Sequence, residues 1–318
     1  MAAKTHNLRR RAILAPHTYH VGELTKARPE TITNLIHKAA GEEDAWIEEA
    51  TEQIGEWRSL ARSVYLRWAI TINACELAES HYLDLPPDRM LQTNTLRVVE
   101  GVPQQMPLAG WTGPEASRHY KATTLLMAAY GVGDLYGAIE DILFEFAEIF
   151  YRHNPRSLVQ GREPADKEIR RLWERRASGE AAEAAWNEAW QARFDNWRRR
   201  KVYDGLPRLL KGLFQAADLK RPSHYQHTDI NTWAGTLGMI ALLRHHVVHG
   251  APTVSAELAA HSGKPTSLTF DFTEGEPLDV KLHHLQSVEC FIDQLLGALN
   301  LSLLEKAIGG PLLGKAGT

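Results

Sequence analysis

From Ser117 to Pro155 the chain carries apolar residues at helical spacing almost without a break. Leu135, Ile139, Ile142, Leu143 and Phe146 fall on one stripe, and the run stops before Pro155. A helix of that length with one apolar face must bury it against other helices, so helix-on-helix layers are the architecture open to this chain. Two further stretches repeat the pattern. "LARSVYLRWAITINACELAESHYL", ending before Pro86, predicts a long, largely buried helix, and residues 278–305 predict a last amphipathic one. Residues 31–49, with Ile32, Leu35, Ile36, Ala39 and Ala40, also read as helical.

Pro and Gly concentrate in residues 85–115, which places the main segment boundary there. Leu268, Phe270 and Phe272 alternate within 266–273, the pattern of one short strand or extended edge. Residues 166–201 are rich in Arg, Glu and Ala, with Trp186, Trp190 and Trp197 spaced by four and seven, which reads as an amphipathic packing edge rather than a base-stacking platform. The expected class is all-α with one short β element. An N-terminal helical region of unassigned role (1–110) precedes a helical domain (111–318) that carries a helical insertion at about 155–225.

The length of 318 residues suits one large or two ordinary domains, and 44% hydrophobic with 24% charged residues provides ample core. A net charge of -3 argues against a general nucleic-acid coater, so any nucleic acid must meet a local patch. The densest basic run is Arg198, Arg199, Arg200 and Lys201, open to two readings: a solvated helix end or a phosphate contact. The two cysteines, Cys75 and Cys290, lack metal-ligand spacing and are expected as buried free thiols. No stretch reads as a signal peptide or a membrane span, so a cytoplasmic location without membrane contact is the expectation.

The chemistry concentrates in "IALLRHHVVHGAP", residues 240–252. Thr228 or Asp229 is the candidate N-cap of this helix, and Gly250-Ala251-Pro252 its stop. At 100° per residue, Met239, Ile240, Leu243 and Val247 share the core-facing arc. His245 and His249, four residues apart, superpose on the other side with Arg244 beside them. Three chemistries fit. Zinc is one, but the HExxH spacing has His246 where the peptidase base Glu belongs, and Arg244 opposes a divalent cation. Simple interaction of histidines with the helix C-terminus is another. The third is metal-free RNA cleavage, in which histidine serves as acid or base near neutral pH and arginine forks onto phosphate oxygens.

Arg244-His245-x-x-x-His249 resembles the RX4–6H motif of the HEPN superfamily (higher eukaryotes and prokaryotes nucleotide-binding domains), in the form with a polar residue after the Arg. The following Gly250 and the lead-in "GMIALL" suit that family as well. The resemblance covers roughly 116–318 apart from the insertion. It implies a helical bundle that homodimerises so that two motif helices build a composite ribonuclease site needing no metal or cofactor. It assigns Arg244 and His249 to the defining positions and His245 to the polar one. "DLYGAIEDILFEFAEIF" resembles the first core helix, from which Glu140 or Asp141 would approach the motif, and 278–300 resembles the closing helix.

The function so implied is an endoribonuclease acting as a toxin or phage-defence effector, with RNA, a second copy and an antitoxin or other defence-system protein as partners. The alternative is a catalytically silent HEPN-type module that binds nucleotide or protein. The subgroup controlled by AMP transfer carries a Tyr two positions beyond the motif His, where this chain has Ala251, so that control is not implied.

Overall fold

The computed structural model of the chain describes residues 8–10, 13–15, 17–20, 32–159, 164–262 and 270–312. Helix accounts for 69% of it, and two two-stranded sheets complete the described elements. In chain order these are β1 (His17–His20), β2 (Ile32–Leu35), α1 (Ala45–Leu83), β3 (Met90–Val99), β4 (Val102–Thr112), α2 (Gly113–His153), α3 (Pro155–Leu158), α4 (Pro164–Arg175), α5 (Glu180–Asp204), α6 (Leu206–Ala216), α7 (Ile230–Val248), α8 (Ala256–His261) and α9 (Leu282–Ile308).

The two longest helices run antiparallel. Trp46, at the start of α1, meets Phe150 near the end of α2, with ring centroids 5.1 Å apart. Trp57 donates to Glu145 at 2.8 Å and Trp68 to Asp134 at 3.1 Å, while Tyr82 stacks on Tyr120. The stripe predicted on α2 is fully buried, since none of Leu135, Ile139, Ile142, Leu143 and Phe146 is more than 1% exposed. Thr112 caps α2 in a reciprocal capping box with Glu115, which fixes the direction in which the helix leaves β4.

Helix α9 lies on α1 and α2, held by the Arg58–Asp293 fork at 2.8 and 3.0 Å and by Arg62 with Glu289. By length and composition α9 would suffice to cross a membrane, which corrects the expectation that no stretch approaches a span. Its apolar residues are instead taken up by the core: Leu285, Val288, Ile292, Leu296 and Leu303 are fully buried. Buried residues of α5 and α6 (Phe194, Leu206, Leu209, Leu210) belong to the same continuous core as α1, α2, α7 and α9. The hairpin at the expected boundary thus joins two helices with a shared interior. Trp186 and Trp190 are buried and Trp197 packs on Tyr151 and Phe194, so all three tryptophans are packing groups.

Three local expectations require correction. Ile32–Leu35 is a strand, parallel to β1, rather than the start of a helix. Asn300 of α9 clamps Leu35 through both backbone groups (3.0 and 2.8 Å), and helix begins only at Ala45. The principal β element is the β3–β4 hairpin and not 266–273, of which Phe270–Thr273 is irregular and the rest lies outside the described residues. The cysteines are free but not buried: Cys75 is partly exposed and Cys290 exposed.

Candidate active site

Helix α7 is built as its local sequence directs. The Asp229 carboxylate accepts from the Asn231 and Thr232 amides at 2.9 Å each and caps the first turn. Met239, Ile240 and Leu243 are at most 2% exposed and anchor the helix on the core, with Val247 packed at its edge. At the far end Gly250 adopts φ 64°. The Ala251 amide reaches back to the His246 carbonyl (2.9 Å) and the Gly250 amide to the Val247 carbonyl (3.2 Å). This six-to-one, five-to-two pattern closes the helix and needs the left-handed conformation glycine adopts freely. His249 is thereby held as the C-cap, with its amide on the His245 carbonyl at 3.0 Å.

Arg244, His245 and His249 are all exposed. The rings of His245 and His249 have centroids 4.3 Å apart at 54°. His246 diverges from them: it is half-buried, and its Nδ1 lies 2.8 Å from the Leu242 carbonyl, which makes that nitrogen the protonated one. The Arg244 guanidinium stands over the Tyr136 ring of α2, 5.3 Å from its centroid.

One turn further along α2 is Glu140. Burial pushes its carboxyl above the usual range, opposed by the positive charges of Arg244, Arg198 and Arg9 and reinforced by Asp141. Burial likewise raises the Tyr136 phenol, with Glu140 adding to the effect. The packing of α2 against α7 and α5 therefore gathers Arg244 and Arg198 around one half-buried carboxylate. Arg198 also sits over Phe144, 5.0 Å from the ring centroid. The rest of the basic run is less concentrated: Arg199 and Arg200 are exposed, while Lys201 is engaged by Asp204 at 2.7 Å.

Arg9 was not among the residues singled out from the sequence. It pairs with Asp134 at 2.6 Å and Asp141 at 3.1 Å, crossing α2 at Gly137, where any Cβ would strike its guanidinium. Arg10 pairs with Glu145 beside it. Asp141 is thus taken up by the N-terminal strap, which leaves Glu140 as the α2 carboxylate facing the motif. The signal was the basic run near residue 10, whose acidic counterpart lies more than a hundred residues away.

No family model, curated protein or solved structure matches this chain.

The residues themselves weigh on the metal alternative. Among the described residues the cluster with metal-ligand proximity is Asp271, His283 and His284, remote in sequence from the α7 histidines. In that cluster the Lys281 amide donates to Nδ1 of buried His284 at 3.0 Å. Nε2 therefore carries the proton and donates to Asp271 at 2.8 Å. A neutral imidazole so arranged has no lone pair left for a cation, and burial keeps it neutral by lowering its pKa. Phe270 and Phe272 flank the ring, so the cluster reads as a structural clasp on the start of α9.

Proposed function

We propose that this protein is a metal-independent endoribonuclease of HEPN type, working as a toxin or phage-defence effector. The observation that carries the reading is the placement of Arg244, His245 and His249 together on an exposed edge of α7, with His245 and His249 in ring contact. In the proposed reaction a histidine accepts the proton of a ribose 2′-OH as that oxygen bonds to the adjacent phosphorus. The bond from phosphorus to the 5′ oxygen breaks, and a second histidine protonates the leaving oxygen.

His249 is the principal acid or base, and His245 orients it or supplies the second proton transfer. Arg244 forks onto the phosphate oxygens, held in place by its stacking on Tyr136 and by the Glu140 charge. A second copy would bring another such edge to the same phosphate, giving a composite site on a two-fold axis. Arg198, whose positive charge also acts on Glu140, extends the positive surface along which RNA would lie.

The test is labelled RNA incubated with the pure protein in EDTA. Fragments ending in 2′,3′-cyclic phosphate support the reading, whereas intact RNA fits the silent binding module.

A further inference from the structure

Tyr203 stands almost wholly in solvent. At 91% it is the most exposed of the large apolar side chains among the described residues. Burying such a ring stabilises a fold, so one left bare on a helix is open to an external partner. The tryptophans of α5 are used in packing, which leaves Tyr203 as the ring on that helix with free faces.

Its surroundings are cationic. Tyr203 is the penultimate residue of α5, and Arg200 and Arg199, three and four places before it, share its side of the helix. Both arginines are exposed, and neither has an ion pair among the described residues. Arg208, in the first turn of α6, is exposed too, and its charge acts on Asp204 at the end of α5.

The corner that follows sets this ring beside the α7 site. Gly205, with φ 76°, turns α5 directly into α6. The Leu206 backbone lies within hydrogen-bonding reach of the Tyr136 phenol, and the Arg244 guanidinium stands 5.3 Å from the Tyr136 ring centroid. Pro207 packs on α7 at Gly238, where a Cβ would lie 3.7 Å from its ring. Gly238 precedes Arg244 by about 9 Å along that helix. Tyr203 is separated from Leu206 by at most about 11 Å of chain. The bare ring and the Arg244–His249 edge are therefore neighbours across one helix corner.

On the ribonuclease reading of α7, on which this rests, we infer that Tyr203 is a stacking site for an unpaired base flanking the cleaved bond. Arg199 and Arg200 take the phosphates beside that base. Single-stranded nucleic acid is gripped by this combination, cations tracking the backbone and an aromatic face for the base. With a net charge of -3 the chain has no general attraction for RNA, so the grip must be local. Every base has a face to stack, so Tyr203 selects unpaired over paired RNA and leaves base identity open.

The experiment is fluorescence anisotropy of a labelled single-stranded RNA titrated with the full chain carrying His249→Ala, so that the RNA survives the measurement. Adding Tyr203→Ala should weaken binding about 5- to 100-fold, the range for loss of one base–aromatic stack. Tyr203→Phe should stay within twofold, because the ring face remains. The loss should vanish on a duplex of the same sequence, where no base is free. Tyr203→Ala should leave the salt dependence of binding as it was, whereas Arg199→Gln with Arg200→Gln should flatten it. With His249 intact, the effect of Tyr203→Ala on cleavage should appear in KM rather than kcat. Equal affinity with and without the ring overturns the inference and returns Tyr203 to a solvated helix end. An equal loss for Tyr203→Phe, or an equal loss on duplex, overturns it as well. The two readings fail separately. RNA cut by wild type but bound equally well by Tyr203→Ala overturns the stacking site alone. RNA bound through Tyr203 but left intact by wild type overturns the ribonuclease alone, and RNA not bound at all overturns both.

Discussion

His245 and His249 lie one turn apart on α7 with their ring centroids 4.3 Å from each other, while His246, between them, is turned onto the Leu242 carbonyl. Three neighbouring imidazoles thus divide into an exposed pair and one committed to the helix.

That division separates two effects of mutation. His246→Ala removes one hydrogen bond, worth about 0.5–1.5 kcal/mol, and should lower the melting temperature slightly while leaving RNA cleavage within twofold of wild type. Chemical denaturation and a cleavage assay on the same preparation read both quantities.

Glu140→Gln should do the reverse. A carboxyl whose pKa is raised by folding binds its proton more tightly when folded, so it subtracts stability as pH rises from the ordinary carboxylate range through the folded value. Above the folded value the whole penalty is present, and removing the charge there should leave stability equal or higher. Arg244 would lose its electrostatic anchor, and cleavage should fall on the order of 10- to 100-fold through misplacement.

Gly137 and Arg9 make a test in which the background decides the outcome. In wild type, Gly137→Ala displaces the Arg9 guanidinium from Asp134 and Asp141, costing about 1 kcal/mol and cancelling the helix-propensity gain of similar size. In an Arg9→Ala background nothing is displaced, and the same substitution should stabilise by about 1 kcal/mol. Equal effects in both backgrounds would mean that the strap does not rest on α2 in solution.

The His284–Asp271 clasp should make the fold acid-sensitive. Burial lowers the His284 pKa, so the unfolded chain takes up a proton there first, and stability falls as pH drops below about 6.5. Asp271 is also lowered, chiefly by its bond to His284, and its contribution is lost at still lower pH. His284→Gln can still accept from the Lys281 amide, as in a capping box, and should flatten the change in melting temperature between pH 7 and pH 5. Added zinc should leave the wild-type melt unmoved.

The long helices and the relation of His245 to His249 were legible because both depend on local spacing. The Asp229 cap and Gly250 stop were equally local. What escaped was decided at long range. Ile32–Leu35 has a helical pattern, but its backbone is claimed by Asn300 and by β1. The β3–β4 hairpin lacks the alternation that marks a half-buried strand, because neither face is covered, although "VVEGVP" carries its turn. That Glu140 rather than Asp141 faces Arg244 follows from how α2 packs against α7 and from Arg9 taking up Asp141, neither visible in the helix itself.

The most direct measurement is cleavage of one labelled RNA in EDTA by wild type, His249→Ala, Arg244→Ala and Arg244→Lys, with circular dichroism melts alongside. The account predicts chelator-insensitive cleavage by wild type and a loss of about 10²- to 10⁴-fold for His249→Ala. Arg244→Ala should be comparably damaged and Arg244→Lys only partly restored, since an ammonium cannot reproduce the bidentate fork. All four proteins should melt alike, because the apolar face of α7 is untouched. Cleavage by folded His249→Ala at the wild-type rate, or RNA left intact by the wild type, would contradict it.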